Sequence, residues 1–293
     1  MVFSSTWIDL SINNTLKNGW ATQYDKSFSG CVLKVGQGRE SKDVYEENSN
    51  PFIDRQFESC YRDLAKAGCK NIACYWFFTA TNHISIQLEA KACIAAVDKM
   101  VKETGVKPRF IAIDLEDFYN KPKFELSRAS KEVKNKFKYM TSTYISALVV
   151  EFARLIEAAG YKYVLYSNLN FLLYVYCKNK SIMNMPLWFA YYSTDKKRFE
   201  SICNKYKLNN VILWQCGTRV DNSISSRDID NNIVVGGTLM DNKTKRKYIN
   251  DKLKKLGRHV LDDDTFKYLE KYEYGDDLMH AIYMLATDEK YII

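Results

Sequence analysis

The sequence predicts an α/β protein built around a closed, mostly parallel barrel. Three observations carry this reading. Eight short apolar segments recur along the chain. Amphipathic helical segments separate the earlier ones. The 293 residues suffice for one barrel of about 250 residues with a small addition. An ordinary hydrophobic share of 46%, with only 12 Gly and 4 Pro, marks a folded chain rather than a disordered one.

The eight candidate strands are Trp7–Leu10, Cys31–Val35, Ile72–Phe78, Phe110–Ile113, Tyr163–Tyr166, Leu187–Tyr191, Val211–Trp214 and Ile229–Val235. Apolar runs without polar alternation read as strands buried on both faces. Between them, Phe57, Cys60, Tyr61 and Leu64 mark one helical face before Gly68, and Ile86, Cys93, Val97 and Met100 mark another before Gly105. The clearest helix carries Ile145, Leu148, Val149, Phe152, Leu155, Ile156 and Ala159 on one stripe, with Gly160 as its stop. Alternation of strand and helix predicts a parallel sheet, and eight strands predict closure. Helical periodicity is weak around the last strands, so loops or hairpins are expected to join them in an irregular, TIM-like barrel. The barrel is assigned to residues 1–240. Residues 241–293 read as a small helical segment, with Leu253, Leu256, Val260, Leu261, Phe266, Leu269, Leu278, Ile282 and Leu285 as its apolar positions. Such a segment is marginal for a core of its own.

The run Phe110–Ile113 ends in Asp114, Leu115, Glu116 and Asp117. Acids at the C-terminal end of a parallel strand stand at the rim where barrel enzymes keep their chemistry. In an extended chain Asp114 and Glu116 share a face, while Asp117 points away. Two adjacent carboxyls cannot both ionise freely, which favours one proton held between them. Asp9 closes the first strand and Asp230 lies in the last, so barrel closure would bring them together. Tyr75, Trp76, Tyr166, Trp188, Tyr191 and Trp214 are the candidate rim aromatics. Carboxylates ringed by aromatic platforms suit a sugar polymer, whose flat apolar faces stack on rings. The lysine-rich stretch Phe118–Tyr139 reads as a lid or substrate wall.

The net charge of +8, with a dense patch at Lys243–Lys247, suits an anionic partner, and a wall polymer bound through the C-terminal segment is one candidate. No nucleic-acid-binding motif is evident. The eight cysteines form no C-x-x-C pair and read as reduced thiols in a cytoplasmic chain. No secretory signal, membrane span, phosphate-binding loop or metal-ligand cluster is evident, so neither a cofactor nor membrane insertion is expected.

Seven motifs in order resemble those of the Chalaropsis-type lysozymes of glycoside hydrolase family 25, muramidases common among phage endolysins and bacterial autolysins. W-I-D-L-S resembles that family's G-I-D-V-S, C-V-L-K-V-G-Q-G its K-A-T-E-G strand, C-Y-W-F-F its Y-H-F, and F-I-A-I-D-L-E-D its D-x-E. G-Y-K-Y-V-L-Y-S-N resembles G-Y-x-P-x-I-Y-T, P-L-W-F-A-Y-Y resembles L-W-x-A-x-Y, and V-I-L-W-Q-C followed by D-I-D-N-N resembles W-Q-Y followed by V-D-x-N. The resemblance implies a (β/α)5β3 barrel that hydrolyses the β-1,4 bond between N-acetylmuramic acid and N-acetylglucosamine of bacterial peptidoglycan. It implies Glu116 as general acid, with Asp114, Asp9 and Asp230 matching the family's other acids, and the negative field of those three is expected to keep Glu116 protonated at rest. Two positions depart from the family: Trp76 stands for the His of Y-H-F, and Gln37 for the Glu of K-A-T-E-G. A phage lysin made in the cytoplasm and acting on the wall after release fits this picture. A catalytically inactive carbohydrate-binding relative and a hydrolase of another aminosugar polymer remain as alternatives. The first would be expected to have lost a rim acid.

Overall fold

The computed structural model describes residues 3–38, 51–80, 82–116, 142–175, 182 and 184–235, with isolated positions between 250 and 265. Asp117, the stretch Phe118–Tyr139, Cys177, the patch Lys243–Lys247 and most of the C-terminal helical segment lie outside the described residues. The chain divides into two compact units, Thr6–Ile233 and a second made of Met1–Ser5 with Val234–Ile293. In the second unit the Asn250 side chain bridges the backbone N–H and C=O of Leu261, both at 2.9 Å.

In chain order the elements are β1 (Phe3–Leu10), a short 3-10 turn (Trp20–Gln23), β2 (Gly30–Gln37), β3 (Phe52–Ile53), α1 (Phe57–Lys66), β4 (Ile72–Phe77), α2 (His83–Thr104), β5 (Ile111–Asp114), α3 (Ser142–Ala158), β6 (Tyr163–Asn168), α4 (Leu169–Val175), β7 (Leu187–Ala190), α5 (Lys196–Tyr206), β8 (Val211–Arg219) and β9 (Ile229–Val235). Eight strands close in the order β1-β2-β4-β5-β6-β7-β8-β9 and back to β1. The two-residue β3 adds to β2 in antiparallel fashion. Each of the eight predicted strands is present, and β3 is the addition. The pairings from β1 through β8 are parallel.

The expectation that helices fade late in the chain needs correcting, because α5 joins β7 to β8. Its buried stripe is only Phe199 and Cys203, too thin to register as periodicity. Asp195 caps its N-terminus, accepting from the N–H groups of Lys197 and Arg198 at 2.9 and 3.1 Å. The long α2 starts at a reciprocal Asn82–Ser85 capping box and stops at Gly105, whose φ of 71° is the left-handed conformation that ends a helix.

Register decides which side chains enter the barrel, because partners across a parallel ladder share a face. One layer joins Lys34, Tyr75, Ala112 and Val164; the next joins Phe77, Asp114, Tyr166, Trp188 and Leu213. Tyr75 on β4 meets Trp188 on β7 edge-on at 6.0 Å, and those strands are not neighbours, so this face is the interior. The alternate residues Trp76, Ile113, Leu165 and Leu187 face the helices. Two register shifts interrupt the alternation, one in β2 between Lys34 and Gly36 and one where β7 meets β8.

Candidate active site

β1, β5, β6 and β7 run in the same direction through the barrel, so their C-terminal ends share one rim. Asp9 is the next-to-last residue of β1, Asp114 is the last of β5, and Glu116 stands two residues beyond. Asp230 is the second residue of β9, yet it shares a hydrogen bond with Asp9. The last strand therefore enters the barrel where the others leave it, which brings all four acids to one end.

Asp9 is 6% exposed and sits in a polar network. Its Oδ2 accepts from Asn232 Nδ2 at 2.7 Å and from Gln215 Nε2 at 3.2 Å. Trp188 Nε1 donates to Asn232 Oδ1 at 2.8 Å, and the Tyr166 hydroxyl donates to Gln215 Oε1 at 2.8 Å. Burial first, then the Asp230 charge, pushes the Asp9 pKa well up. Their shared hydrogen bond raises Asp9 and lowers Asp230, so the proton between them resides on Asp9. Burial alone carries Asp230 above the ordinary carboxylate range.

Asp114 is 4% exposed, and burial followed by the neighbouring Glu116 pushes its pKa well up, while Lys34 pulls it back. Its Oδ1 is buried without a hydrogen-bond partner. Glu116 is only half-buried. The deeper carboxyl of the pair is thus Asp114, and the proton expected to rest on Glu116 belongs to the pair, with burial favouring Asp114.

These shifts set a pH dependence of stability. Asp9 and Asp114 hold protons in the folded state that the unfolded chain loses above about pH 4, and the raised pKa of Asp230 acts in the same direction. The associated stability is complete below that range and is lost as pH rises through the raised values. The melting temperature should therefore fall as pH rises above about 4, and Asp114→Asn should flatten that slope. Equal slopes in the two proteins would refute this.

The six candidate aromatics separate by face. Tyr75, Tyr166 and Trp188 line the interior beside the acids; the Tyr166 and Trp188 rings lie 4.5 Å apart. They form a floor rather than a rim, since Tyr166 and Trp188 are buried. Trp76 and Trp214 do not belong to the site. Trp76 faces α2, where its Nε1 donates to Glu89 Oε2 at 2.8 Å. Trp214 stacks on Phe199 of α5 at 4.1 Å. Tyr191 shares the outward parity of Phe189 and stacks on it at 5.9 Å. The rim aromatic is the next residue, Tyr192. It is 66% exposed, and its hydroxyl is pushed up to about 12 by partial burial and then by Asp230, Asp9 and Glu116. Counting alternation from Trp188 through Ala190 would have found it. Lys34, Gln215 and Asn232 were also missed; the latter two lie in W-Q-C and D-N-N, adjacent to assigned residues.

Tyr192→Ala is expected to raise KM for a soluble oligosaccharide about tenfold with a smaller change in kcat, consistent with about 1.5 kcal/mol from one ring platform. Tyr191→Ala should leave KM within twofold; the reverse pattern would overturn the facing assigned to the two rings. Among the described residues no three His, Cys, Asp or Glu side chains converge as a metal-ligand set.

Comparison with known proteins adds independent findings. The family model described as "Glycosyl hydrolases family 25" matches residues 8–220. No curated protein matches the chain. Among solved structures, the spore cortex lytic enzyme SleM of Clostridium perfringens superposes with a TM-score of 0.56 at 18% identity, over 79% of this chain and 67% of that one. The catalytic domain of endolysin ply40 from bacteriophage P40 of Listeria monocytogenes gives 0.56 at 17% identity, over 82% of this chain and 97% of that one. The modular autolysin LytC of Streptococcus pneumoniae gives 0.58 at 16% identity, over 79% and 47%. At these identities the structural likeness speaks to the fold.

Proposed function

Because the chain belongs to the family 25 glycosyl hydrolases, we propose that the acid-lined barrel mouth is a muramidase site that cleaves the β-1,4 bond between N-acetylmuramic acid and N-acetylglucosamine in bacterial peptidoglycan. The observation that carries this is the convergence of Asp9, Asp114, Glu116 and Asp230 at one rim over an aromatic floor. The autolysin LytC, similar in fold, has been captured with a synthetic peptidoglycan ligand, which supports the same polymer here.

In this mechanism Glu116 gives its proton to the leaving glycosidic oxygen while positive charge develops at the anomeric carbon. Asp114 presents a buried oxygen that lacks a donor. The acetamido N–H of the muramic residue is a donor of the right kind, and an ionised Asp114 that accepts it turns the acetamido carbonyl oxygen toward the anomeric carbon as internal nucleophile. Water then opens the resulting ring, returning its proton to Glu116. Asp9, held by Gln215, Asn232 and Asp230, fixes the floor on which the sugar rests.

The test is mass analysis of fragments released from defined peptidoglycan. A reducing N-acetylmuramic acid end is expected. A reducing N-acetylglucosamine end would overturn the bond assignment.

A further inference from the structure

Inside the barrel, Lys34 stands among the acids. Lys34 lies on the interior face of β2, in register with Tyr75 on β4. Its Nζ donates to Gln37 Oε1 at 2.9 Å and sits 5.3 Å from the centre of the Phe77 ring. Phe77 is the register partner of Asp114, so the ammonium is anchored one strand from that carboxyl. The groups that face it come from every neighbouring element. Asp114 and Glu116 approach from β5, Asp54 from the turn between β3 and α1, Tyr75 from β4 and Asp9 from β1. Cys60 of α1 lines the same narrow crevice as Lys34, and Glu89 of α2 lies on the other side of the sheet, near Gly38.

Asp54 is committed elsewhere. Its two oxygens accept the backbone N–H groups of Ile12 and Gln56, both at 2.9 Å. The Glu116 charge raises the Asp114 pKa, so a proton is in contention between the two carboxyls, and two effects compete for its position. Burial favours the proton on Asp114, the deeper carboxyl; a nearby cation favours a negative charge there, and so sends the proton to Glu116.

We propose that Lys34 is a positioning residue for the hydrolysis, drawing negative charge onto Asp114 and so delivering the shared proton to Glu116. Burial lowers the Lys34 pKa, and Asp114, Asp54 and Glu116 push it back up, which is the reciprocal of its effect on Asp114. Substrate that covers the half-exposed Glu116 removes water from it and tilts the proton the same way. In the uncovered protein burial outweighs Lys34, so the acid is armed as the sugar chain arrives.

The inference rests on Asp114 and Glu116 being the reacting pair, and the experiment keeps the two claims apart. Initial rates on purified peptidoglycan are measured against pH for the wild type, Lys34→Met, Lys34→Arg and Gln37→Glu. Wild-type protein that releases no reducing ends would overturn the assignment of function, and with it this inference. With wild-type activity present, Lys34→Met should lower the plateau about tenfold and move both limbs of the profile upward. The shift should be about one pH unit on the acid limb, where Asp114 must ionise. Lys34→Arg should restore the limbs. Gln37→Glu places a competing carboxylate at the atom that now accepts the Lys34 hydrogen bond, and should move the acid limb upward by a smaller amount. A lower plateau with unmoved limbs would make Lys34 merely structural and overturn the proposal. Should Lys34→Met fail to fold, Gln37→Glu decides alone, and an unshifted profile overturns the proposal.

Discussion

Glu116→Gln is expected to lower the clearing of a wall suspension by about 10³-fold, the middle of the range for a lost general acid. The amide keeps the shape of the side chain but has no proton of suitable acidity to give the leaving oxygen and cannot recover one from water. Glu116 is half-buried at the mouth, so the substitution should leave the melting temperature within a degree or two. Lysis at near wild-type rate would remove Glu116 from its role. Loss of lysis with a collapsed melting curve would show that the side chain holds the fold instead.

The second large effect concerns stability. Glu89 on α2 is 2% exposed, and its carboxyl accepts from Trp76 Nε1 at 2.8 Å, Thr79 Oγ1 at 2.9 Å and Thr79 N at 3.3 Å. Glu89→Ala would leave these donors buried without an acceptor and open a void beside Trp76. The expected loss is about 3–5 kcal/mol. At the usual entropy of unfolding for a protein of this size, that is a drop of roughly 5–8 °C in melting temperature. The contact lies on the helix side of β4, away from the acids, so activity per folded molecule should persist at low temperature. A melting point unchanged within two degrees would contradict this account of the carboxyl.

The strands were legible because a parallel strand buried on both faces is a short apolar run with little else in it, and Phe110–Ile113 and Cys31–Val35 are of that kind. The acids were legible because they interrupt such runs at one end. Facing was harder to read, because strict alternation holds only where no register shift intervenes. A register shift in β2 and another at the β7–β8 pairing are backbone irregularities with no residue signature here. Trp76, Trp214 and Tyr191 were misplaced for want of a correct parity, while Tyr192 stood one residue away. Resting protonation was hidden for a related reason, since relative depth, rather than residue type, makes Asp114 the more shielded of the pair. The helix α5 escaped because two buried residues suffice to dock it.

The Trp188–Asn232–Asp9–Gln215 network spans β7, β9, β1 and β8. The seam where the first and last barrel strands meet is therefore fastened by the same buried polar bonds that define the floor of the site. A molecule whose last strand has not docked has neither a closed cylinder nor a working quartet of acids. Hydrolytic competence is therefore expected to appear only with closure of the barrel, so that activity would double as a readout of completed folding.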